Sequence, residues 1–220
     1  GMSAGDTHQG GFYRFSYDIT DKIKYGAKNQ LEVFVRKYSL NKSVNAAERM
    51  AHWWTFGGIY RPVWLEAKPT SHIQHVAVDA SSQGILSAKI QFNNLKKGCH
   101  LVASISPVGT DRGTFVPQSI SLQDTVSVQR ISVNWKRVRT WTPDTPNLYL
   151  MTLNLLNEKG EMIHTYQERI GFRTEEFKPK DGLYVNGTKV IMKGINRHSF
   201  HPDGGRTTNR EISLQDALLI

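Results

Sequence analysis

Helical periodicity is almost missing from the first two hundred residues of this chain, and so are several other features that would assign it a class at once. It has a single cysteine, Cys99, which excludes an intramolecular disulfide framework. With no His-Cys constellation around it, Cys99 reads as a half-buried strand thiol rather than a nucleophile. No apolar run approaches the roughly 18 residues that a membrane-spanning helix requires. The opening residues are polar and glycine-rich, without the apolar core of a signal peptide, and Gly1 ahead of Met2 reads as a residue left by a cleaved tag. Internal repeats and low-complexity tracts are absent. Glycine pairs occur at Gly57-Gly58 and Gly204-Gly205, but neither has the strand-to-helix context of a phosphate loop.

The charge is lopsided, with 28 Lys and Arg against 19 Asp and Glu, a formal +9. A basic balance invites an anionic partner such as nucleic acid. Here the positive residues are scattered, and the densest group, Lys136-Arg-Val-Arg139, is short. No basic helix, zinc-ligand set or aromatic RNA-binding motif accompanies it, so neither nucleic acid nor a membrane is expected as a partner.

What the chain does have is alternation. Apolar and polar residues alternate over 11–17 and 31–36, and again after Gly57-Gly58. Residues 38–52 form a polar connection with a helical turn near 46–50. After Pro69 a fresh series begins, with strands expected at 72–80, 85–92, 100–107, 114–121, 126–133, 148–156 and 162–170. About seven short strands in a hundred residues is the count of an immunoglobulin-like sandwich, here without the cysteine pair of antibody domains. Asn157-Glu-Lys-Gly160 marks a hairpin turn. Asn186-Gly187, between two short strand runs within 183–190, is the strongest hairpin signal in the chain. Residues 190–195 then read as a buried strand, and a helix opens after Asn209, a capping residue, with Glu211 in its first turn.

Four separated segments carry a family likeness. They are Gly58-Ile-Tyr-Arg-Pro-Val-Trp-Leu65, Trp141-Thr-Pro-Asp-Thr-Pro-Asn-Leu-Tyr149, Ile170-Gly-Phe-Arg-Thr174, and Lys193-Gly-Ile-Asn-Arg-His-Ser-Phe-His-Pro-Asp-Gly-Gly-Arg206 with Asp216 beyond it. In this order and spacing they resemble glycoside hydrolase family 2, most closely its bacterial β-galactosidase branch. The resemblance implies a mainly β chain in three parts. Residues 1–69 would be the C-terminal part of a sugar-binding jelly-roll domain and 70–176 an immunoglobulin-like β-sandwich. Residues 177–220 would be a hairpin and the first strand-helix unit of a truncated catalytic (β/α)8 barrel.

The function so implied is hydrolysis of terminal β-glycosides with retention, β-galactosides first. Retaining glycosidases need two carboxyl groups about 5 Å apart. The family's two catalytic glutamates lie near the ends of the fourth and seventh barrel strands, and neither position exists in this chain. No catalytic residue is therefore assigned, and the chain alone is expected to be inactive. Asn196, Arg197 and His198 follow the first barrel strand and would line the sugar pocket of an intact parent. No cofactor and no metal is assigned; His198, His201 and Asp203 read as loop residues rather than ligands.

The aromatic cluster Trp53, Trp54, Phe56 and Tyr60 has two readings, a sugar-stacking platform or interior packing, and the neighbouring turn favours packing. Trp141 and Tyr149 are expected at a corner or interface, and Arg61 and Arg173 in pairs with acids. The competing functional class is a carbohydrate-binding or structural β-sandwich module that self-associates through open strand edges. Location is left between periplasm and cytoplasm of a bacterium.

Overall fold

The computed structural model describes residues 2–50, 57–109, 115, 117–123 and 127–220. Trp53, Trp54 and Phe56 lie outside the described residues, as do the expected starts of the strands at 114 and 126. The chain divides into two compact units, residues 65–194 and residues 1–64 with 195–220.

The 65–194 unit is a β-sandwich, so the chain is mainly β as its alternation demands. One sheet has the order β1-β2-β5 and the other β4-β3-β6-β7. The strands are β1 His72–Ala80, β2 Ile85–Asn93, β3 His100–Pro107, β4 Gln118–Ser121, β5 Val128–Asn134, β6 Tyr149–Leu156 and β7 Met162–Ile170. All pairings within the two sheets are antiparallel. The chain changes sheet three times, between β2 and β3, between β4 and β5 and between β5 and β6, the crossing that makes a Greek-key sandwich.

Period-2 alternation explains the register. In β2, Leu86, Ala88, Ile90 and Phe92 are buried while the residues between them are exposed. They face Leu101, Ala103 and Ile105 of β3 and Met151, Leu153 and Leu155 of β6 in one core. A one-residue slip would turn every one of these side chains to solvent, so burial itself holds the register. Cys99, expected half-buried, is fully buried just before β3.

The two family-like segments of this unit meet at one end of the sandwich, where their residues serve structure. Tyr149 is buried, and its hydroxyl accepts the Arg139 amide at 2.7 Å, a tyrosine corner. Gly171 sits against Trp141 so closely that a Cβ there would lie 2.9 Å from the Trp141 Cβ and 3.0 Å from its indole. Phe172 is completely buried, and its carbonyl accepts the Trp141 amide at 2.8 Å. Arg173 pairs with Glu175, as an acid partner was expected, and its guanidinium also covers the Trp141 ring at 5.2 Å.

A second, small sheet follows, with β8 Glu175–Lys178, β9 Gly182–Val185 and β10 Thr188–Val190 in the order β10-β9-β8. The Asn186-Gly187 turn has φ of 51° and 80°, the left-handed pair that a two-residue hairpin turn of this hand requires. Asn186 also joins the sheet to the sandwich. Its amide donates to Thr174 O at 2.9 Å, its Oδ1 accepts the Thr174 amide at 2.9 Å, and its Nδ2 donates to Trp141 O at 3.0 Å. Asn186→Ala removes both side-chain bonds and leaves a left-handed alanine, an expected cost of about 1–3 kcal/mol. Hydrogen exchange should show the β9 and β10 amides opening with the core amides of β6 unchanged; equal loosening of both would contradict a local role.

The other unit departs from expectation. Residues 11–17, 31–36 and the run after Gly57-Gly58 form no strand, although their side chains alternate. Alternation supplies a face but not a ladder partner, and among the described residues these runs meet none. The same holds for 190–195: β10 stops at Val190, and Ile191 and Met192 are 77% and 79% exposed instead of buried. Conversely the polar connection at 38–52 holds a full helix, α1 Lys42–Arg49, capped by Asn41 through the Ser43 and Val44 amides. None of its residues is buried, and of its length the sequence showed only the turn near 46–50.

Candidate functional site

The candidate residues lie on the irregular segment that leads into α2 Arg210–Leu219. Asn209 caps this helix, its Oδ1 accepting the Ile212 amide at 2.8 Å, and Glu211 stands in the first turn where a carboxylate suits the helix dipole. Asp216 lies on the same helix. Arg197 reaches it through Nε at 2.5 Å, and Nη2 contacts the same oxygen. The pair is partly exposed, so its net stabilisation is below about 1 kcal/mol. Its main effect is geometric, fixing the Asn196-Arg197-His198 segment to the helix.

Between them a tight loop is closed by reciprocal backbone bonds of His201 and Gly205, both 2.8 Å. The Asp203 amide donates to His201 Nδ1 at 3.3 Å, and the Thr207 hydroxyl donates to Gly204 O. Arg206 lies over the Phe12 ring at 5.4 Å. The lone pair of His201 Nδ1 is thus engaged by its own loop, as a loop residue's would be. Among the described residues no group of three or more His, Cys, Asp or Glu side chains is placed to hold a metal ion.

The three candidates differ in their surroundings. Asn196 and His198 are exposed. Arg197 has its charge compensated by Asp216. The sequence pattern placed Asp216 in the likeness without revealing this pairing across 19 positions.

The carboxylates of the small sheet and its first turn are taken up by other partners. Glu175 and Glu176 are neighbours on β8 and therefore point to opposite faces. Each is engaged by a cation, Arg173 and Lys178 respectively. Asp181 of the same small sheet accepts Lys189 Nζ at 2.6 Å and the Tyr184 hydroxyl at 2.5 Å. The Lys189 bond, then the Tyr184 bond, holds its carboxyl below the ordinary aspartate value, the wrong direction for a general acid.

Comparison with known proteins fits these observations. The family model of glycosyl hydrolases family 2 matches residues 71–173, the sandwich strands with both structural motifs. A β-galactosidase of Thermoanaerobacter pseudethanolicus is 30% identical over 96% of this chain and 28% of its own length. The β-galactosidase large subunit of Latilactobacillus sakei is 31% identical over 91% of this chain and 31% of its own. Among solved structures, Bacteroides uniformis β-glucuronidase 2, covalently bound to cyclophellitol-6-carboxylate aziridine, superposes with a TM-score of 0.60. It is 26% identical and covers 77% of this chain and 22% of its own. The chain thus spans less than a third of the length of these relatives. With the family match across the sandwich and alignments over nearly all of its residues, the chain belongs to glycosyl hydrolases family 2.

Proposed function

We propose that this chain is the part of a retaining glycosidase that supports the sugar pocket, in a protein acting on terminal β-glycosides, β-galactosides first. The observation that carries the reading is the alignment of nearly the whole chain with proteins named β-galactosidase. In this reading residues 1–69 belong to a sugar-binding jelly roll, 70–176 to the sandwich and 177–220 to the opening of the catalytic barrel. Asn196 and His198 hydrogen-bond the substrate's hydroxyls, while Arg197 holds them in place from Asp216. Proton transfer and nucleophilic attack need two opposed carboxylates, which in this reading come from the rest of the protein.

The test is turnover of a panel of nitrophenyl β-glycosides by the 220-residue chain and by the full-length protein that contains it. The expected result is β-galactoside hydrolysis by the longer protein alone. A preference there for the β-glucuronide would replace the sugar assignment, in keeping with the likeness to a β-glucuronidase structure. Turnover by the 220-residue chain would overturn its inactivity, and none by the longer protein would overturn the hydrolase reading. The alternative, a self-associating sandwich module, is favoured by exposed apolar side chains such as Phe34, Ile191 and Met192. Light scattering of the purified chain over a concentration series decides it, since a constant monomer mass removes that reading.

A further inference from the structure

At one edge of the sandwich β1 and β7 belong to different sheets, and a hydrogen bond joins them. The Ile73 amide donates to His164 Nδ1 at 3.3 Å. Ile73 is 1% exposed, so its amide has no water to fall back on. Both strands are irregular at this point. The register of β1 shifts between Ile73 and His75, and that of β7 against β6 shifts between Leu155 and Leu156, opposite His164 and Met162. Bulges re-aim side chains and free backbone groups from the ladder, and here two of them flank one cross-sheet bond.

The bond is possible in only one protonation state. To accept an amide proton, Nδ1 of His164 must present its lone pair, so the ring is neutral with its proton on Nε2. The His72 ring lies 5.8 Å away, centroid to centroid, and its Nδ1 donates to Pro69 O at 2.7 Å. A second imidazole is thereby held close to the first. The titratable groups facing His164 are His72 on β1, with Lys68 and Glu66 on the segment entering it; Lys68 and Glu66 themselves pair at 3.3 Å.

We propose that His164 is a proton-operated clasp between the two sheets: neutral, it holds β1 to β7 through the Ile73 amide, and protonated, it releases that amide and loosens this edge. The surroundings favour the neutral form. Partial burial chiefly, then His72 and Lys68, push the His164 pKa below the ordinary histidine value, with Glu66 opposing. A depressed folded-state pKa makes the unfolded chain bind the proton first. The clasp's contribution is therefore complete above the ordinary histidine value and is lost as pH falls through the lowered one.

The first experiment is an NMR titration of the 220-residue chain that follows the His164 ring nitrogens and the Ile73 amide together. The expected result is an Nε2–H tautomer at neutral pH, with the Ile73 amide shifting and losing exchange protection in step with His164. An Ile73 amide indifferent to that titration would end the proposal. The second uses His164→Gln, whose amide oxygen accepts the same proton without titrating. The urea midpoint should fall between about pH 7.5 and about pH 5 in the parent chain and fall less in the variant. Full retention of the pH dependence in His164→Gln would overturn the clasp. Should that variant fail to fold, His72→Gln reports instead: His164 should then titrate at higher pH, and an unmoved titration would remove His72 from the mechanism.

Discussion

Phe172→Ala should cost about 3–5 kcal/mol, the range for emptying a fully buried phenylalanine site. Phe172 has no exposed surface, and its ring meets Tyr149 edge-on at 5.4 Å and 84°. Such a pair contributes about 0.5–1.5 kcal/mol beyond area burial, so the loss exceeds simple transfer. Tyr149 would lose this edge while keeping its hydroxyl on the Arg139 amide and its contact with Phe115 at 5.9 Å. That tether keeps Tyr149 from swinging into the hole, which predicts a retained cavity and the upper part of the range. Urea unfolding of the parent and of Phe172→Ala and Phe172→Leu measures it. Leucine should recover more than half of the loss, and an alanine cost below about 1 kcal/mol would show that the corner collapses freely.

The same corner shows how far motif reading goes. Trp141, Tyr149 and 170–174 stood out in the sequence as family-like runs, yet they are separated along the chain, and their mutual packing is a property of the folded sandwich. The sandwich strands themselves were legible because each buries one face, and a period of two with one buried face is what a core strand must show. The bounds of β1, β3 and β7 coincide with those read from alternation. Residues 11–17 and 31–36 alternate as clearly and form no strand, because side-chain pattern says nothing about whether a neighbour offers its backbone. The helix α1 showed in the sequence only as a turn near 46–50 for the opposite reason: its cap and propensity suffice locally, and it has no buried residue to write a longer period into the sequence.

For the candidate site the division is similar. Asn196, Arg197 and His198 were found through resemblance, and their spacing alone would not single them out. What the structure adds is the Arg197 to Asp216 tie. The His72 and His164 pair lay outside any motif. Two strand histidines 92 positions apart give no sequence signal, since their meeting depends on strand order and on a bulge in each strand.

Gly84→Ala is the second substitution with a large expected effect, and a second glycine makes it interpretable. Gly84 closes the β1–β2 hairpin, donating its amide to Ser81 O at 2.9 Å and accepting the Trp135 amide at 2.9 Å. Its φ is 82°, and a Cβ there would lie 2.1 Å from the Trp135 carbonyl oxygen. Gly160, in the β6–β7 turn, has nearly the same φ, 79°, with nothing within 4 Å of a Cβ. Left-handed strain alone costs alanine about 1–2 kcal/mol, which is the expectation for Gly160→Ala. At Gly84 the strain is joined by a collision with backbone that cannot rotate away, because the Trp135 side chain is buried at 3% exposure. Relief requires the hairpin to move off β5 and give up the Trp135 amide bond, so Gly84→Ala should cost at least about 3 kcal/mol. The difference between the two variants in urea unfolding isolates the collision. Equal costs would mean that the hairpin yields without breaking its contact with Trp135, and that the close approach at Gly84 is not what fixes the β1–β2 turn.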